Sequence, residues 1–172
     1  LLWAPRHPER FRAVAQRAAD AGLSVAMRSG QRWPGVGGGT QVFVIDTLGE
    51  LLGFFAAADV AFIGGSLCDV GGHNVLEPAA LGIPSVVGPH TFNFADVTRR
   101  LRDAGALVQA PDAGQVGDAV LALIDDAPRR ARMGAAGRSQ VAELSGALGR
   151  TLDLLDGLIE RRSVEREGER HL

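Results

Sequence analysis

The chain has 172 residues, 46% of them hydrophobic and 22% charged, which is enough apolar material for one packed domain and excludes global disorder. Lys and Arg together number 18 against 20 Asp and Glu, a net charge of -2 with no basic excess for gripping nucleic acid. All 18 basic residues are Arg, so no Lys nucleophile or Schiff base is available.

In chain order, Leu1–Ala4 reads as a short buried strand closed by Pro5. Pro8 and Glu9 suit a first helical turn, and Phe11, Val14, Ala15 and Ala18 recur at helical spacing until Gly22. Leu23–Met27 is the second strand. Five glycines and a proline between Ser29 and Thr40 mark a loop. Val42–Ile45 is the third strand, and Leu48, Leu51, Leu52 and Phe55 make a helical stripe after it. Val60–Ile63, Ser85–Val87 and Leu107–Gln109 complete the strands. Helices are expected over 74–81, 93–104, 115–125, 129–143 and 146–161, the last with Leu148, Leu152, Leu155 and Ile159 on one face. Residues 162–172 form a charged, non-periodic tail after a domain of residues 1–161.

Strands that are nearly all apolar, alternating with helices, predict an α/β domain: a Rossmann-like parallel sheet of about six strands with helices on both faces. Ligands of such sheets bind at the carboxyl ends of the strands, so the loops there carry the function. Pro5-Arg6-His7-Pro8 follows the first strand, and Arg6 with the N–H groups of the helix start would make an anion site; the plainer alternative is a surface Arg beside a Pro-started helix. After the fourth strand comes Gly64-Gly65-Ser66-Leu67-Cys68-Asp69-Val70-Gly71-Gly72-His73-Asn74-Val75-Leu76-Glu77-Pro78. Four glycines in nine positions let backbone N–H groups approach a phosphate. Asn74 and Glu77 have capping-box spacing, which needs no ligand, but the carboxylate could also accept both hydroxyls of a ribose.

Other chemistries fit less well. Cys68, Asp69, His73 and Glu77 lack a recognised metal spacing, so no metal is expected, and the lone cysteine excludes an internal disulfide. The glycines do not form G-x-G-x-x-G, and Ser66 is not in a G-x-S-x-G nucleophile elbow. After the fifth strand, Gly88-Pro89-His90-Thr91-Phe92-Asn93-Phe94 offers His90 either to a substrate or to ordinary loop hydrogen bonds. No apolar run approaches the ~20 residues that span a bilayer, so a soluble chain is expected. It opens on Leu1-Leu2-Trp3 without a Met and reads as a piece of something longer.

The ordered series Pro5-Arg6-His7, Arg28-Ser29, Asp46-Thr47-Leu48-Gly49-Glu50-Leu51, Ala58-Asp59-Val60-Ala61-Phe62-Ile63-Gly64-Gly65-Ser66, Gly71-Gly72-His73-Asn74, Leu76-Glu77-Pro78-Ala79-Ala80 and Gly88-Pro89-His90-Thr91-Phe92-Asn93-Phe94 resembles the 3-deoxy-D-manno-octulosonic acid (Kdo) transferases of lipopolysaccharide synthesis. The likeness runs from about Leu1 to Ile159 and covers only that family's carboxy-terminal half. The resemblance implies the second, donor-binding domain of a GT-B glycosyltransferase, with CMP-Kdo as donor and no cofactor. The acceptor, a lipid A precursor, would be bound by an amino-terminal domain that also carries the catalytic base.

By the same resemblance, Arg6 faces the phosphate or the Kdo carboxylate, and Gly65 and Ser66 line the phosphate with backbone and hydroxyl donors. Gly72 and His73 belong to that loop, Asn74 lies near the donor phosphate and Glu77 holds the ribose. Leu48 stands where the family usually has Met, near the base, where a backbone contact survives the change. Cys68, Asp69 and Val75 also depart from the family pattern, where an apolar residue and two prolines are usual. The parent enzyme would be inverting and would work on the cytoplasmic face of the bacterial inner membrane. This chain would bind donor without turning it over. The alternatives are a GT-B transferase using a UDP- or GDP-sugar, a non-catalytic nucleotide-binding module, and a nucleotide-sugar epimerase.

Overall fold

A computed structural model of the protein describes residues 1–31 and 37–146. The chain divides into two compact units, Leu1–Ala58 and the remainder from Asp59 onward, each taken here by itself.

In the first unit, β1 (Leu2–Trp3), β2 (Val25–Met27) and β3 (Val42–Val44) form a parallel sheet in the order β1-β3-β2. Leu2 pairs with Phe43, and Val25 and Met27 with Val42 and Val44. A strand points successive side chains to opposite faces, and β3 uses both. Val42 and Val44 meet Val14, Ala15 and Ala18 of α1 (Phe11–Asp20), the one-face spacing read from the sequence. Phe43, on the other face, sets its ring 5.9 Å from that of Phe54 in α2 (Leu51–Ala56).

In the second unit, β4 (Ala61–Phe62), β5 (Ser85–Val87) and β6 (Leu107–Gln109) pair in parallel in sequence order. Helices α3 (Leu76–Leu81), α4 (Ala95–Asp103) and α5 (Ala113–Asp125) follow the three strands in turn, and α6 covers 127–146. Val86 lies in a core with Ala110, Val116, Leu123 and Met133, so α5 and α6 cover its face of the sheet.

All six expected strands are present, and the parallel α/β class stands. The single six-stranded sheet is corrected to two sheets of three, because β3 pairs only with β1 and β2, and β5 only with β4 and β6, among the described residues. The first strand is not buried: Leu2 is 40% and Trp3 36% exposed, and within its own sheet, among the described residues, β1 pairs only with β3. Leu48 is not in the helical stripe, since α2 begins only at Leu51 and Leu51 and Leu52 face solvent. The expected break after residue 143 is absent, and α6 runs unbroken through 146. The helical face of Leu148 to Ile159 and the charged tail lie outside the described residues.

Candidate functional site

Six of the eight sequence-derived site residues fall in one segment of the second unit, residues 64–77, a loop at the carboxyl end of β4 and the first turn of α3. Gly65 has φ +71°, and a Cβ there would lie 3.2 Å from both Cε1 and Nε2 of His73. The imidazole therefore rests on the bare Cα of Gly65, and Gly72 N–H donates to the Gly65 carbonyl at 3.0 Å. Gly71, at φ +90°, would bring a Cβ within 2.5 Å of the Phe92 ring and 2.6 Å of Asn93 Nδ2. Neither position accepts a side chain without displacing a neighbour.

The loop after β5 is tied to this one. Asn93 N–H donates to Gly71 O at 3.1 Å, and its side-chain Nδ2 to Val70 O at 2.9 Å. His90 N–H donates to Ser66 O at 2.9 Å, and its Nδ1 lies 3.8 Å from Asp69. His90 thus has loop partners of its own. Asn93 was not singled out from the sequence; only its place in the Gly88–Phe94 motif pointed to it.

Two expectations change here. Ser66 is fully buried, its Oγ donates to Ile63 O at 2.6 Å, and Gly88 N–H donates to that Oγ at 2.9 Å. A hydroxyl has one proton, and this one is committed to the fold, so it is not a donor to a phosphate. The capping box is also replaced. Val75 already has helical angles, so the cap position falls on Val75, one residue past Asn74, and α3 begins at Leu76. Asn74 Oδ1 instead accepts the Leu76 N–H at 2.9 Å, while its Nδ2 donates to Glu77 Oε1, also at 2.9 Å. Glu77 is half-buried, and its Oε2 makes no hydrogen bond among the described residues.

The first unit holds the other two. Arg6 is exposed, between β1 and a 3-10 turn at Pro8–Arg10. Leu48 is 81% exposed in the loop after β3. That loop is fastened at both ends to the turn after β2. Asp46 accepts the Ser29 N–H at 2.8 Å and the Ser29 hydroxyl. Glu50 accepts Arg28 Nη2 at 2.8 Å and the Thr47 hydroxyl. Burial pushes the Asp46 carboxyl up, but its hydrogen bonds, led by those from the Ser29 hydroxyl and N–H and joined by the backbone N–H groups of Asp46 and Arg28, together hold the pKa below the usual aspartate value. The Thr47 hydroxyl, and then Arg28, hold that of Glu50 below the usual glutamate value. Both residue groups stand in the sequence motifs, but their pairing does not.

Among the described residues, no group of three or more His, Cys, Asp and Glu gathers to hold a metal, and Cys68 is exposed. No helix among them is long and apolar enough to cross a membrane.

Residues 35–140 match the family of group 1 glycosyl transferases. The 3-deoxy-D-manno-octulosonic acid transferase of Bordetella pertussis is 46% identical over 159 residues, 91% of this chain and 36% of that protein. That of Haemophilus influenzae is 42% identical over 162 residues, 94% of this chain and 38% of that one. Among solved structures, the C-terminal CMP-Kdo binding domain of WaaA from Acinetobacter baumannii superposes with a TM-score of 0.76 at 38% identity, over 81% of this chain and 72% of that one. The chain belongs to the group 1 glycosyl transferases and, within them, to the Kdo transferase family as its carboxy-terminal domain, with the GT-B fold. It spans little more than a third of the length of these curated relatives.

Proposed function

We propose that this chain is the donor-binding domain of an enzyme that transfers Kdo from CMP-Kdo to a lipid A precursor. The observation that carries the reading is the Glu77 carboxylate. Asn74 holds one of its oxygens at 2.9 Å beside the glycine loop, and Oε2 remains as an acceptor for a ribose hydroxyl. The likeness to a solved CMP-Kdo binding domain supports it.

In this reading the phosphate meets backbone of Gly65, Ser66 and Gly72, with His73 and Asn74 along the loop. Arg6 supplies a permanent cation for the phosphate or the Kdo carboxylate. Leu48 borders the base. The reaction is an inverting displacement. A base in the amino-terminal half takes the proton of an acceptor hydroxyl, whose oxygen bonds to the Kdo anomeric carbon. The bond from that carbon to the phosphate oxygen breaks, and CMP leaves with the electron pair. The residues of this chain favour that step by stabilising charge on the departing phosphate. Alone, the chain binds donor and does not turn it over. The parent enzyme acts on the cytoplasmic face of the inner membrane, where its acceptor lies.

Titration with CMP, UMP and GMP by calorimetry tests this. Selective CMP binding that is lost in Glu77→Ala supports the reading. Preference for UMP or GMP points to a transferase with another donor. No CMP binding even when the chain is joined to an amino-terminal half refutes it.

A further inference from the structure

Asn93 lies in the 3-10 turn at Phe92–Phe94, after β5, and one residue there grips two successive carbonyls of the glycine loop. Its N–H donates to Gly71 O at 3.1 Å, and its Nδ2 donates to Val70 O at 2.9 Å, 23 positions back in the chain. A trans peptide plane points its N–H opposite to its C=O. The hold on Gly71 O therefore aims the Gly72 N–H, which is already used: it donates to Gly65 O at 3.0 Å. The hold on Val70 O likewise aims the Gly71 N–H. That donor makes no hydrogen bond among the described residues, although Gly71 is buried. Buried backbone donors seldom lack an acceptor. Phe92 and Asn93 close over the bare Cα of Gly71, where a Cβ would lie 2.5 Å from the ring and 2.6 Å from Nδ2. Asn93 is itself exposed, and an exposed side-chain hydrogen bond adds little to stability. What it does give the loop is direction.

We propose that Asn93 is a positioning residue: by gripping Val70 O and Gly71 O it holds the Gly71 N–H as a hydrogen-bond donor for the phosphate of the activated sugar. This rests on the donor-binding reading above and adds to it a side chain from the next strand end. Glycine has the most backbone freedom to lose, so an untethered Gly71-Gly72 pair would have to be ordered by the ligand itself. A peptide plane fixed in advance meets the phosphate without that cost.

The test titrates the parent, Asn93→Ala and Asn93→Leu with CMP and with cytidine, which lacks the phosphate, by amide-shift NMR. It is run on this chain or, where that alone binds no CMP, on the chain joined to an amino-terminal half. In the parent, the Gly71 amide signal is expected to shift with CMP and much less with cytidine. Both variants are expected to bind CMP about tenfold more weakly, the scale of one hydrogen bond to a charged group, while cytidine binding is kept. A purely structural role would move both ligands together, so equal loss of the two overturns the inference. Variants that bind CMP as the parent does overturn it too, and leave the donor-binding reading standing. If neither form of the parent binds CMP, that reading fails and this inference with it. Should neither variant fold, the parent's Gly71 signal decides: a shift no larger with CMP than with cytidine sinks the proposal.

Discussion

The hydroxyl of Ser66 has two partners, and both are backbone groups. It donates to Ile63 O three residues earlier and accepts the buried N–H of Gly88 from the next strand end. In sequence, a serine between glycines looks like a phosphate ligand, because a loop can present its hydroxyl outward. What turns it inward is a residue 22 positions away, and no local pattern announces that. Ser66→Ala removes the acceptor of a buried N–H, so urea denaturation should show a loss of about 1–3 kcal/mol. A variant as stable as the parent would return the hydroxyl to the solvent side of the loop. Glu77 is the opposite case: its one hydrogen bond among the described residues is to Asn74, and the sequence reading of it as a ribose acceptor needs no buried partner.

At the scale of elements, the strands were legible because each is a short, mostly apolar run, as the strands of a parallel sheet covered by helices tend to be. The junction expected between the helices 129–143 and 146–161 was not: residues 144 and 145 are helical, and α6 is continuous through residue 146. The start of α5 shows a cap that does titrate. Asp112 accepts the Gln115 N–H at 2.8 Å, and that bond, followed by one from the Gln115 side chain, holds its pKa below the ordinary aspartate value. A carboxylate with a depressed folded pKa contributes stability at pH values above its unfolded pKa. That contribution is lost as the pH falls through the folded value. Asp46, also depressed, acts in the same direction. Urea midpoints at about pH 7 and about pH 3 should therefore fall less in Asp112→Asn than in the parent, since Asn caps a helix without titrating. An equal fall in both would mean that the cap does not contribute to acid sensitivity.

For the molecule as a whole, the proposed function rests on loops at strand ends, and residue type alone singles those loops out in the sequence. Glycine clusters and the Arg, His, Asn and Glu beside them stand out against apolar strands and need no long-range information. The fastening of the loop after β3 to the turn after β2 does, because Ser29 and Arg28 reach partners 17 and 22 residues away. If the chain binds donor as proposed, the binding also shows in the stability of the folded chain, since a ligand that binds only the native state shifts unfolding by mass action. At a CMP concentration about 100 times its Kd the gain is about 2.7 kcal/mol, read by far-UV circular dichroism in urea. In Glu77→Ala the gain should vanish while the ligand-free midpoint stays close to that of the parent, because Glu77 makes only a side-chain bond at a half-buried position. A drop in the ligand-free midpoint as large as the missing gain would assign Glu77 to the fold instead. The loss of CMP binding would then follow from a disordered loop, with no ribose contact needed to explain it.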